Sequence, residues 1–139
     1  MDAQAVADKV RDVMFADDAA SRMLGLQVTE ISPGRAVATM SVRADMLNGF
    51  AICHGGLIAT LADSAFAFAC NSRNNLSVAW DTSITFTKAS KLWDVLTAEA
   101  KELHNGKSTG LYLVTITNQR NEQVALFKGT CFRTAKSLI

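Results

Sequence analysis

Paired cysteines are missing from this sequence. The three present, Cys53, Cys70 and Cys131, are odd in number and widely spaced, so they build no disulfide framework. No Cys-x-x-Cys pair exists for zinc binding or redox work. They read as reduced thiols in a cytoplasmic protein. An excess of charge of one sign is missing too. Lys and Arg number 14 against 13 Asp and Glu, and no basic block stands out. That argues against a nucleic-acid partner held through its phosphates. The opening residues, MDAQAVADKVRDVMFADD, are interspersed with acidic side chains and contain no long apolar core, which excludes a secretory signal. Linkers, internal repeats and low-complexity tracts are absent. What remains is 139 residues, 49% of them hydrophobic, which suits one globular domain spanning 1–139.

One apolar tract stands out: residues 50–70, FAICHGGLIATLADSAFAFAC. It is apolar enough to suggest a membrane span, but it contains His54, two glycines and Asp63. A carboxylate at the centre of a bilayer costs ~2.5–3.5 kcal/mol on insertion scales. A helix buried in protein, with no membrane, is the better reading.

Residues 1–24 read as an N-terminal helical segment. Ala5, Val6, Val10 and Val13 recur near helical spacing, and a second short helix covers Asp17 to Leu24, stopped by Gly25. From Leu26 the period drops to two, and two alternating runs flank the turn Ser32-Pro33-Gly34. Met46 to Cys53 reads as a loop. Gly55-Gly56 then opens the apolar helix, 55–70. Four strand-like segments follow at 77–87, 93–103, 109–119 and 123–133, with turns at Asn105-Gly106-Lys107 and Asn118 to Asn121. That spacing predicts an antiparallel meander. The fold class is therefore α+β: six strands in one curved antiparallel sheet wrapped around a long central helix. A sheet covers one side of a helix, and this helix is apolar on most of its faces, so a second subunit is expected against it.

Asp63 is the strongest chemical clue. It lies mid-helix among apolar residues with no cation one turn away, so its pKa is expected to rise. Such groups concentrate at functional sites. The competing reading is an Asp that reaches water or caps a neighbouring segment. His54-Gly55-Gly56 sits at the helix entrance, where free N–H groups could hold a developing oxyanion. A tight strand-to-helix turn would need the same small residues, and the two readings weigh about evenly. Gly55 and Asp63 are eight residues apart, ~12 Å along one helix axis, too far to serve one reacting carbonyl. Two antiparallel helices across a two-fold axis would bring Gly55 of one subunit to Asp63 of the other, making a homodimer with two shared sites. Asn48 could reach this helix start, although loop asparagines are more often turn-formers. A Cys53–His54 nucleophile is rejected because adjacent residues on an extended chain point apart. No spacing among His54, Asp63 and His104 suits a metal, and neither Ser64 nor Ser108 has a visible His–Asp arrangement. Lys88, Lys91, Lys107, Lys128 and Arg133 fall at strand ends or at the Gly106 turn, where a coenzyme A phosphate could be met. Candidate pocket residues are Phe50, Ala51, Leu57, Leu61, Phe68, Trp80 and Phe86.

Asn48, then Cys53-His54-Gly55-Gly56, then Leu61 to Ala67 and Ala69 to Ser72 resemble the helix motif of hotdog-fold acyl-CoA thioesterases, in particular the phenylacetate-degradation type. Leu96 to Ala100 and Val124 to Gly129 resemble the same family. The resemblance implies hydrolysis of an acyl-CoA thioester with no metal or cofactor, on aromatic acyl groups such as phenylacetyl or hydroxyphenylacetyl, in phenylacetate catabolism. It implies the Gly55 N–H as oxyanion donor, Asp63 as nucleophile or general base, and Asn48 and His54 as orienting groups. Gly56, Phe50, Lys88, Ser90 and Lys107 are the substrate-binding candidates, and a homotetramer is the implied assembly. Two departures stand out. Some relatives carry a hydroxyl on the strand after the helix, where this chain has Ala79. The usual proline after that strand is replaced by Thr87-Lys88-Ala89-Ser90. Two other functions compete. A hydroxyacyl-thioester dehydratase usually pairs its His and acid differently. A non-catalytic acyl-CoA sensor usually carries a DNA-binding extension, for which the residues before Leu24 are too few and too acidic.

Overall fold

In the computed structural model, which describes residues 1–139, the apolar tract becomes the axis of the molecule. Helices α1 (Ala3–Asp17) and α2 (Ala19–Met23) precede strands β1 (Gln27–Ser32) and β2 (Arg35–Ser41). Helix α3 (Gly55–Asn71) follows, then β3 (Ser77–Phe86), β4 (Val95–Asn105), β5 (Thr109–Thr117) and β6 (Gln123–Arg133). Gly25 takes φ +71° directly after the α2 cap, a left-handed conformation that ends a helix at little cost to glycine. No helix is long and apolar enough to cross a membrane.

The six strands form one antiparallel sheet in the order β1-β2-β4-β5-β6-β3. Only β4, β5 and β6 form the expected meander. β3 lies beyond β6 at the far edge, in register from Ser77–Arg133 to Phe86–Ala125. Alternation along a strand tells which residues face the core but not which neighbour the strand takes. Here α3 delivers the chain to the far edge, and residues 87–94 carry it back across to β4. This strap is pinned by its backbone: Cys53 N–H donates to Ser90 O, Val42 N–H to Asp94 O, and Trp93 N–H to Val42 O.

The core lies between the sheet and α3. Leu61, Phe66 and Phe68 of the helix pack with Met40, Leu96, Tyr112, Val114, Ile116 and Phe127 of the strands, all essentially without exposure. Fully burying one large apolar side chain stabilises by ~1.5–3 kcal/mol, so this cluster dominates the fold. Gly129 of β6 lets the sheet approach the helix: a Cβ there would stand 2.7 Å from the Phe66 ring. At the far end of α3, buried Arg133 donates to Cys70 O (3.1 Å), Ser77 Oγ (3.0 Å) and Tyr112 Oη (3.0 Å). It ties the helix C-terminus to β3 and β5. Arg133 is thus structural and does not reach out for a phosphate.

Candidate active site

The loop before α3 presents one half of the expected constellation. Asn48 holds that loop together: its Oδ1 accepts from Phe50 N–H (2.9 Å) and Ile52 N–H (3.4 Å). Its side-chain NH2 has no partner in the protomer and remains a free donor. His54 N–H donates to Met46 O (2.8 Å), which fixes the chain entering the helix. The His54 ring caps α3, with Nδ1 accepting from Gly56 N–H (3.3 Å). With Nδ1 used as an acceptor, the ring donates through Nε2. The Gly56 N–H is thereby engaged. The Gly55 N–H, first of the helix, has neither an intrahelical nor a side-chain acceptor and stands at the positive end of the α3 dipole.

Asn48 and Gly55 open onto a cavity of about 420 Å3 closed by Phe86 and the strap, including Lys88 and Ser90. The Phe86 ring packs over Gly55 so closely that a Cβ would meet it at 3.0 Å, and a larger residue there would push the ring aside. Ser90 is 1% exposed and its Oγ has no hydrogen-bond partner. A buried hydroxyl left unsatisfied costs about 1–3 kcal/mol, so this one is poised to bond an incoming group. Lys88 Nζ stands 3.3 Å from Glu122, a surface pair at the cavity rim.

Asp63 lies elsewhere. It was expected to be a buried carboxylate; its neighbours are apolar, but its side chain reaches water in the protomer. The sheet covers only one side of α3, leaving open the face that carries Gly56, Thr60, Asp63 and Ala67. Asp63 contributes to a second cavity of about 410 Å3, lined by Met14, Asp17 and Asp18 from the N-terminal helices, Phe66 and Cys70 of α3, and Ser77, Val78 and Ala79 of β3. Although open to water, its carboxyl is pushed above the ordinary carboxylate range, first by partial desolvation in this concave surface and second by the nearby charge of Asp18. Ala79 faces this cavity and offers it only a methyl group.

One protomer therefore holds Asn48, Gly55, Lys88 and Ser90 together and keeps Asp63 apart from them. Lys107 sits in the β4–β5 turn, outside both cavities. Phe50 is 84% exposed and Trp80 69% exposed, so neither lines a closed pocket, while Leu61 and Phe68 are core. Ala51 is exposed with φ +60°, and Leu57 borders a shallow hollow beside His54. Burial pushes the Cys53 thiol up, which leaves it inert beside His54. No three His, Cys, Asp or Glu side chains cluster as a metal site. A larger cavity of about 540 Å3, between α1 and β1, is remote from these groups. Residues that sequence reasoning missed are Met14, Asp17 and Asp18. Periodicity marks them only as the end of one helix and the start of another.

A family model described as "Thioesterase superfamily" matches residues 50–125, which include Gly55, Asp63 and the strap. The chain is 45% identical over 120 residues to an Escherichia coli K12 protein named "Acyl-coenzyme A thioesterase PaaI", covering 86% of each chain. Its structure is similar to that of the E. coli PaaI protein from the phenylacetic acid degradation operon, with TM-score 0.96, 40% identity and 98% and 99% of the two chains covered. It is also similar to a Streptococcus pneumoniae hypothetical thioesterase solved with coenzyme A, with TM-score 0.83, 30% identity and coverage of 92% and 98%.

Proposed function

The chain belongs to the thioesterase superfamily, whose members hydrolyse thioesters, and from that premise we propose that it cleaves aromatic acyl-CoA thioesters in phenylacetate catabolism in the cytoplasm. The observation that carries the reading is the division of the site: a free N–H donor set around Gly55, and a carboxylate of raised basicity about 12 Å further along the same helix. A second copy packed antiparallel along the open face of α3 completes two identical sites. Small residues on that face permit close approach, and β3 offers it an unpaired edge. The outer sheet face exposes Leu103, Leu113 and Phe132, which suits pairing of dimers into a tetramer.

In this arrangement the thioester carbonyl oxygen accepts from the Gly55 N–H, at the helix end where negative charge is stabilised. Asp63 of the other subunit removes a proton from water as the water attacks the carbonyl carbon, or attacks the carbon itself to give an anhydride that water then opens. In the first route the C–S bond then breaks and coenzyme A departs as the thiol with the proton Asp63 had taken. In the second the C–S bond breaks as the anhydride forms, coenzyme A leaves as the thiolate and is protonated from solvent, and the water that opens the anhydride regenerates the Asp63 carboxylate. Both routes use the same residues. The Asn48 NH2 and His54 Nε2 orient the water or the thioester. Ser90 and Lys88 receive the coenzyme A arm along the strap, while Gly56 and Phe50 border the entrance. No step requires a metal or cofactor.

Turnover of phenylacetyl-CoA, hydroxyphenylacetyl-CoA and a straight-chain acyl-CoA by wild type and Asp63→Asn tests this. Hydrolysis of an aromatic thioester, with a loss of ~10²-fold or more in the folded variant, is the expected outcome. Binding of the thioesters without hydrolysis would leave an acyl-CoA-binding protein in its place.

A further inference from the structure

The cavity that holds Asp63 also holds a carboxylate from outside the helix and sheet. Asp18 lies between α1 and α2, and both of its oxygens are engaged: Oδ1 accepts from Ser21 N–H (3.0 Å) and Oδ2 from Ser21 Oγ (2.7 Å). Since the Ser21 hydroxyl donates to Asp18, the 2.8 Å contact between Ser21 Oγ and Ser64 Oγ must have Ser64 as donor. Ser64 follows Asp63 directly in α3. A chain of hydrogen bonds thus runs from Asp18 through Ser21 to the residue beside Asp63, and both serines are buried. Its one rotatable link at each step is used, so Asp18 is held at a set place relative to α3. The cap itself needs no such contact with Ser64, because an N-cap carboxylate is satisfied by backbone N–H alone.

We propose that Asp18 is a positioning residue for Asp63: locked by Ser21 and Ser64, it holds a fixed negative charge across the cavity from the catalytic carboxylate. This rests on Asp63 being the catalytic carboxylate. The charged and titratable groups facing Asp63 within the cavity are Asp17 and Asp18 from the N-terminal helices and Cys70 from α3; β3 and the C-terminal segment contribute only Ser77, Val78, Ala79, Leu76 and Leu138. No cation of the protomer lines the cavity. In the proposed dimer His54 and Lys88 approach from the second copy. The raised basicity of Asp63 already described, with Asp18 as its named charge partner, agrees with this geometry. A like charge strengthens a base without touching the substrate, and it acts through space, so dissolved salt weakens it.

The test is the pH dependence of kcat/KM for wild type, Asp18→Asn and Asp18→Glu, each at low and high ionic strength, with the Asp63 carboxyl titrated by carbon NMR in the same samples. Asn caps a helix as well as Asp does, so the fold is retained; Asp18→Ser, also a good cap, is the substitute if that protein is unstable. Expected is an acidic limb moved to lower pH in Asp18→Asn, with a plateau loss below about tenfold, and retained in Asp18→Glu. Added salt should move the limb of wild type in the same direction and leave that of Asp18→Asn in place. Coincident limbs and coincident NMR titrations of wild type and Asp18→Asn would overturn the inference while leaving Asp63 catalytic. Full turnover by Asp63→Asn would instead overturn the function on which it rests.

Discussion

The catalytic role proposed for Asp63 comes with a stability cost, and the two are separable by pH. Its carboxyl binds a proton more tightly in the folded chain than in the unfolded one, because the cavity partly desolvates it and Asp18 repels its charge. Its contribution to stability is therefore present at low pH and lost as pH rises through its folded pKa. Asp63→Asn mimics the protonated form. Its thermal midpoint should equal that of wild type in acid and match or exceed it at neutral pH, where turnover is lost. Ser90 makes a complementary case. Its unsatisfied hydroxyl brings no stability, so Ser90→Ala should melt no lower than wild type while KM for the acyl-CoA rises. A fall in melting temperature with KM unchanged would make Ser90 a structural residue. Asp63 was legible as a candidate from one carboxylate in an apolar helix. The orphaned Ser90 hydroxyl was not, since it arises only where the strap lies over the end of α3.

At the scale of elements, α3 and β6 meet at a contact with no slack. Gly129→Ala would drive a methyl group into the Phe66 ring, which is itself wedged against Tyr112 and Phe127. Overpacking of this kind costs about 1–3 kcal/mol, measurable by urea unfolding. Arg133→Ala should cost at least as much, because the Cys70 carbonyl, Ser77 Oγ and Tyr112 Oη lose a buried donor and each group left unsatisfied costs about 1–3 kcal/mol. The helix and strand periods of these elements are written in the residues. The neighbour of β3 is not: its alternation would suit β4 as well as β6, and the path of α3 decides between them.

For the whole molecule, the separation of Asn48 from Asp63 makes subunit mixing informative. Asp63→Asn and Asn48→Ala are each expected to be inactive. Refolded together in equal amounts, half of the dimers are mixed, and each carries one site with both native residues. Total activity should recover to about a quarter of wild type. No recovery would place the complete site within one protomer. The open β3 edge, with Val78 52% and Trp80 69% exposed, is the place to break the assembly. Trp80→Lys should shift the protein toward monomer in light scattering and lower activity in step.

What the residues determine by themselves is local. Apolar periodicity yields one central helix and six strands, the glycines mark where the chain enters α3, and an acid in an apolar helix marks the candidate catalytic carboxylate. These follow from spacing and side-chain chemistry within a few turns of chain. The tertiary structure alone decided that β3 closes the far edge, that the strap leaves Ser90 unpaired beside Gly55, and that Asp18 faces Asp63. Each depends on segments tens of residues apart being brought together by burial, and burial is roughly proportional to area and carries no signature in sequence order.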